Sequence, residues 1–81
     1  MNQTNVILYT RNGCHLCEQA KEILVELKQQ FNFVLDEVDI NHSDELTEKY
    51  GLMIPVVEIN GKEVQFGQVD KMFIYEALTI K

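Results

Sequence analysis

VILYTRNGCHLCEQAKEILVELKQQ, from Val6 to Gln30, sets an apolar run against a loop, a Cys-x-x-Cys and a long amphipathic segment. Val6-Ile7-Leu8-Tyr9 carries no charged residue, as a strand buried on both faces requires. Thr10-Arg11-Asn12-Gly13 reads as a loop. Beyond it Leu16, Ala20, Ile23, Leu24, Leu27 and Phe31 recur at three- and four-residue steps. Glu18, Lys21, Glu22, Glu26 and Lys28 fall mostly elsewhere around the wheel. The pattern predicts a one-sided helix, from at or near Cys14 to near Gln30, packed on a sheet.

Working outward, Phe33 to Ile40 alternates as a second strand, with Val34, Val38 and Ile40 on one face and Glu37 and Asp39 on the other. Ser43 is placed to cap a short helix whose first turn holds Asp44 and Glu45. Gly51 is expected to stop it in the left-handed conformation. Pro55 to Ile59 forms a third strand, Asn60-Gly61 a tight hairpin turn, and Glu63 to Phe66 the returning strand. Asp70 caps a last helix, with Val69 and Ile74 stapled across the cap. Its predicted buried stripe is Phe73, Ile74, Ala77 and Leu78. The order β-α-β-α-β-β-α gives an α/β fold: a four-stranded mixed sheet with helices on both faces.

The chain has 81 residues, room for one domain spanning 1–81. Its 46% hydrophobic and 25% charged residues are those of a folded protein. A net charge of −6 argues against nucleic acid and anionic membrane surfaces as partners. No apolar run approaches the ~20 residues of a membrane span. MNQTNVILYT lacks a basic flank, so a cytoplasmic chain is expected. Thiols there are kept reduced, and a Cys-x-x-Cys is more often catalytic or metal-binding than a permanent bridge.

Cys14 and Cys17 are the only cysteines. At a helix N-terminus, unpaired N–H groups and the helix dipole favour a thiolate at Cys14, and Arg11 adds a positive charge nearby. Gly13 removes a side chain beside it. Cys17 falls one turn later on the same side, where it can close a small ring as the more buried, resolving thiol. With Leu16 it is expected to point to the core. His15 and Leu16, inside the ring, are placed to tune its reduction potential. Three other readings stay open: half of a zinc site, for which only His15 and His42 remain as nitrogen ligands; a permanent bridge; and a buried inert pair. Tyr9, Tyr50 and Tyr75 read as packing residues.

Thr10-Arg11-Asn12-Gly13-Cys14-His15-Leu16-Cys17 resembles the glutaredoxin segment in which a strand runs into Lys-x-x-Cys-x-x-Cys, with Arg11 in the lysine's place. Met53-Ile54-Pro55-Val56 resembles that family's Thr-Val-Pro segment. Gly67-Gln68-Val69-Asp70 resembles its Gly-Gly-x-Asp turn. Cys-x-Leu-Cys, together with Val38-Asp39-Ile40 and Tyr50-Gly51-x-x-Ile54-Pro55-Val56, is similar to a short glutaredoxin-like branch. The resemblance covers nearly the whole chain and implies a thioredoxin fold and thiol–disulfide exchange. It implies that Cys14 attacks and Cys17 resolves. Pro55 would be cis, and Ile54 would offer its backbone N–H and C=O to a bound peptide or glutathione. Arg11 would meet a glutathione carboxylate, and Asp70, with backbone groups near Gln68 and Val69, would take the γ-glutamyl end. Expected partners are disulfide-bearing or glutathionylated proteins, with glutathione as reductant and co-substrate. A flavoenzyme reductase serving a thioredoxin-like protein is the alternative donor. A glutathione-bridged iron–sulfur dimer is the alternative of a different class. No bound cofactor and no metal ligand are expected, and a monomer is. The chain departs from the family in three places: Cys-His-Leu-Cys replaces Cys-Pro-Tyr-Cys, Gln68 replaces the turn's second glycine, and Met53 replaces the threonine. Trp is absent and the first strand has no carboxylate, unlike thioredoxin itself.

Overall fold

The computed structural model describes residues 4–79. The elements are β1 (Thr4–Thr10), α1 (His15–Lys28), β2 (Phe33–Asp39), a 3-10 turn at Ile40–His42, α2 (Asp44–Tyr50), β3 (Val56–Ile59), β4 (Lys62–Phe66) and α3 (Lys71–Thr79). The sheet order is β2-β1-β3-β4. β1 is parallel to β2 and antiparallel to β3, and β3 is antiparallel to β4. This is the β-α-β-α-β-β-α arrangement that the hydrophobic periods predict.

The strands' two-residue period divides the core. On one face Val6, Leu8 and Val57 pack with Ala20, Leu24 and Leu27 of α1, and with Val69 and Ile74 at α3. On the other, Val56, Ile40 and Tyr50 form a smaller cluster beneath α2, flanked by Tyr9, Leu46, Met53 and Ile54. Tyr9 and Tyr50 stack with ring centroids 4.5 Å apart. Each fully buried Leu or Ile contributes roughly 1.5–3 kcal/mol, so α1 and α3 are held mainly by these few side chains.

Local signals set the boundaries. Ser43 Oγ accepts from the Leu46 N–H at 3.3 Å, and Asp70 Oδ1 accepts from the Met72 N–H at 3.3 Å. Asn60 and Gly61 both take positive φ, 53° and 84°. The Asn60 side chain also accepts from the Asn5 N–H at 2.9 Å, tying the hairpin to the start of β1.

Four expectations are corrected. Gly51 is right-handed, φ −55°; the position needs glycine because a Cβ would lie 2.5 Å from the Thr47 carbonyl oxygen. Ile40 leaves the strand and enters the 3-10 turn. Leu16 is 42% exposed: helical side chains lean toward the N-terminus, so one in the first turn points past the end of the sheet. Phe73 is 45% exposed, because α3 seats its buried residue, Ile74, and only half-buries Ala77 and Leu78.

The register brings one end of the sheet together. Thr10 pairs with Asp39, Tyr9 with Val56, and Val56 with Phe66. The loop after β1, the segment before β3 and the turn after β4 therefore meet at that end. Among the described residues no helix is long and apolar enough to cross a membrane.

Candidate functional site: a surface disulfide at a helix N-terminus

Gly13 has φ +80°, a conformation that side chains rarely adopt, and a Cβ there would meet no atom within 4 Å. It turns the chain out of β1 so that Cys14 takes extended dihedrals and becomes the N-cap of α1. The Cys14 N–H donates to the Arg11 carbonyl at 3.2 Å, and the Cys14 carbonyl accepts from Glu18 at 3.2 Å. Cys14 Sγ accepts from the Cys17 N–H at 3.1 Å. A helix-terminal donor thus already faces the sulfur, and it would strengthen as a charge-assisted bond were that sulfur a thiolate.

Cys14 and Cys17 are joined as a disulfide, Cα–Cα 5.2 Å. The two sulfurs differ in access. Cys14 is half-buried, while Cys17 is 2% exposed and part of the core. Of the two sulfurs, Cys14 is therefore the one open to approach from solvent. Arg11, Asn12 and His15 are exposed around the pair.

The segment facing the loop is Ile54-Pro55. The Ile54–Pro55 peptide is cis and Pro55 is buried. Ile54 departs from expectation. Its N–H already donates to the Tyr50 carbonyl at 3.1 Å, because the chain leaving α2 closes on that carbonyl before it enters β3. Only the Ile54 C=O remains to offer a guest. The Gly67 N–H donates to both Met53 and Pro55 carbonyls, 2.9 Å each, strapping the turn after β4 to this segment.

Within that turn Gln68 and Asp70 are exposed, and Val69 points into the core. The Asp70 N–H is held by Gln65 Oε1 at 2.8 Å. Sequence reasoning missed this acceptor. It also missed a cavity of about 420 Å³ beside Cys17, lined by Arg11, Glu18, Lys21, Glu37 and Asp39. Alternation along β2 and its parallel register with β1 carry the signal for the two acids.

Exposed apolar residues lie in the segments that meet at this end: Leu16 after Cys14, Leu52 (104% exposed) before Ile54, and Phe66 at the end of β4. Beneath α2, Tyr50 donates to Glu58 Oε2 at 3.4 Å. Burial first, then Glu63 and Glu58, push its hydroxyl up to about 12. Burial, then Glu58, also raises Tyr9.

A family model described as the glutaredoxin-like domain matches residues 5–79. A probable thioredoxin from Methanothermobacter thermautotrophicus is 31% identical over 77 residues, covering 91% of each chain. A Nitrosomonas europaea protein solved by solution NMR superposes with a TM-score of 0.81 at 29% identity, over 96% of this chain and 94% of that one. A mutant thioredoxin from Halobacterium salinarum superposes at 0.73 and 17% identity, over 95% and 73%. That last likeness bears on the fold alone: four strands and three helices in the thioredoxin arrangement.

Proposed function

The chain belongs to the glutaredoxin-like domain family, and from that premise we propose that it is a dithiol–disulfide oxidoreductase acting on protein disulfides and glutathione mixed disulfides. The observation that carries the reading is the asymmetry of the pair. Cys14 is reachable and sits where a helix N-terminus favours its anion, while Cys17 is buried one turn behind.

In the reduced form the Cys14 thiolate attacks one sulfur of the substrate, forming a mixed disulfide and releasing the other sulfur as a thiolate. Cys17, deprotonated, then attacks Cys14 Sγ. The mixed disulfide breaks, the Cys14–Cys17 bond forms, and two electrons leave with the second substrate thiol. The electrons travel in sulfur–sulfur bonds, so no bound cofactor is required and a monomer suffices. The substrate lies extended against Ile54-Pro55, where the Ile54 C=O accepts one backbone hydrogen bond. Leu16, Leu52 and Phe66 offer it apolar contact.

Glutathione is the donor in this reading. Arg11 supplies a cation for one of its carboxylates, and the Gln68–Asp70 turn receives its γ-glutamyl end. One backbone donor that would grip it, the Ile54 N–H, is already engaged within the chain, and Gln68 stands where the turn's second glycine would be. Glutathione is therefore a weakly held co-substrate. Gln68 in place of the turn's second glycine, crowding the γ-glutamyl end, favours the second reading, in which a flavoenzyme reductase returns the electrons. The test is reduction of a small glutathione mixed disulfide in a glutathione-coupled assay, beside a thioredoxin-reductase-coupled assay. Turnover in the first alone supports glutathione, turnover in the second alone supports the flavoenzyme, and turnover in neither refutes the oxidoreductase reading.

A further inference from the structure

Resolution of a mixed disulfide on Cys14 requires Cys17 to lose a proton, and Cys17 is 2% exposed. Burial disfavours a thiol's anion. The way out for that proton is the adjoining cavity of about 420 Å³, whose wall includes Leu8 and Cys17. The charged groups facing it are Arg11 from the loop, Glu18 and Lys21 from α1, and Glu37 and Asp39 from β2.

The register identifies which of these meets Cys17. α1 runs back over β1 and β2 in the opposite direction. Alternation puts Phe33, Leu35, Glu37 and Asp39 on the α1 side of β2. Lys21 Nζ lies 3.0 Å from Glu37 Oε2, which marks where helix and strand adjoin. From that bridge, one step up the same face of β2 is Asp39, and one turn back along α1 is Cys17. Asp39 therefore stands opposite the turn that carries the buried sulfur. Glu37 is engaged by Lys21, and Glu18 and Glu37 are exposed, whereas Asp39 is half-buried. Its Oδ1 accepts from the Asn41 N–H at 2.9 Å, which anchors the carboxylate at the end of β2.

We propose that Asp39 is the proton acceptor for Cys17 in the resolving step, a role that rests on the dithiol reading above. Asp39 takes the Cys17 proton across the cavity, which is roomy enough for a water to relay it. The Cys17 thiolate attacks Cys14 Sγ and the Cys14–substrate bond breaks. The departing substrate thiolate is protonated by solvent, and Asp39 returns its proton to solvent. When a thiol reduces the bridge by attacking Cys14, the carboxylic acid form of Asp39 protonates the leaving Cys17 sulfur.

The test is stopped-flow reaction of the fully reduced protein, in excess, with 5,5′-dithiobis(2-nitrobenzoate). The first nitrothiobenzoate is released in a bimolecular phase by Cys14, the second in a concentration-independent phase by Cys17. Asp39→Asn keeps an oxygen for the Asn41 N–H, since Asn caps as well as Asp, and removes the base. The second phase is expected to slow at least about tenfold at pH 7. The first phase stays unchanged, and the deficit closes above about pH 9 as the thiol ionises unaided. An unaltered second phase at pH 7, or one slowed by the same factor at every pH, overturns the proposal. If Asp39→Asn does not fold by circular dichroism, Asp39→Ser, which also caps, is held to the same expectation. A wild-type protein that releases only one nitrothiobenzoate per reagent overturns the dithiol reading itself.

Discussion

Replacing Tyr50 with phenylalanine removes one hydroxyl from beneath α2 and nothing else. In the folded chain that hydroxyl is raised from an ordinary value of 10.0 to about 12, by burial first and then by Glu63 and Glu58. A raised folded value means that folding favours the neutral form. The contribution is therefore fully present below pH 10 and is lost as the pH climbs through 12. Two units at ~1.36 kcal/mol each amount to a few kcal/mol, on the order of 2–3, most of it gone by pH 12. The variant forfeits instead the long bond to Glu58, about 0.5–1.5 kcal/mol at every pH below that range. Urea unfolding of the oxidised protein at pH 9 and pH 12 reads the difference. A slope of about 1 kcal/mol per molar, fitting for a small domain, turns it into a midpoint that falls roughly 2–3 M further in wild type than in Tyr50→Phe. Absorbance at 295 nm gives an independent reading: the variant lacks the last step of the tyrosine titration. Parallel loss of stability in the two proteins, or a missing step near pH 10, refutes the assignment of burial and acidic neighbours as the cause.

With Cys17 replaced by serine, the residue-17 N–H still caps Cys14, and iodoacetamide at pH 6 should label the folded chain about tenfold faster than the same chain in urea. Equal rates remove the basis for Cys14 as nucleophile. Leu24→Ala should cost about 2–5 kcal/mol in urea unfolding, since Leu24 is fully buried between α1 and the sheet; a loss under 1 kcal/mol would mean the core is misplaced. At a right-handed position Gly→Ala ordinarily stabilises by about 0.4–1 kcal/mol. At Gly51 the Thr47 carbonyl reverses the sign, and Gly51→Ala should destabilise by about 1–3 kcal/mol. A gain in melting temperature would contradict that contact.

Chemistry local in sequence was the most legible part of the fold. An uncharged four-residue run, a glycine-containing loop and a stripe at helical spacing suffice to place Cys14 at a helix start. Asn60-Gly61 allows one turn, because both residues must adopt positive φ. Leu16 misled because a helical wheel carries no information about where the sheet beneath it ends. Gly51 misled because close approach to a carbonyl and a left-handed cap select the same residue. Asp39 was legible as sharing a strand face with Glu37, but its place opposite Cys17 depends on a register between strand and helix, 22 positions apart along the chain. The Ile54 N–H was beyond reach for a similar reason: whether a backbone donor is free depends on how tightly the preceding turn closes.

The Asn60-Gly61 hairpin lies at the opposite pole of the sheet from the sulfurs, where Ile59 pairs with Val6 and Asn60 holds Asn5. Extra modules can be spliced into its tip without shadowing the reactive pole. A fluorophore or an electrode tether attached at that tip would leave the sulfur-bearing end open to whatever arrives from solution.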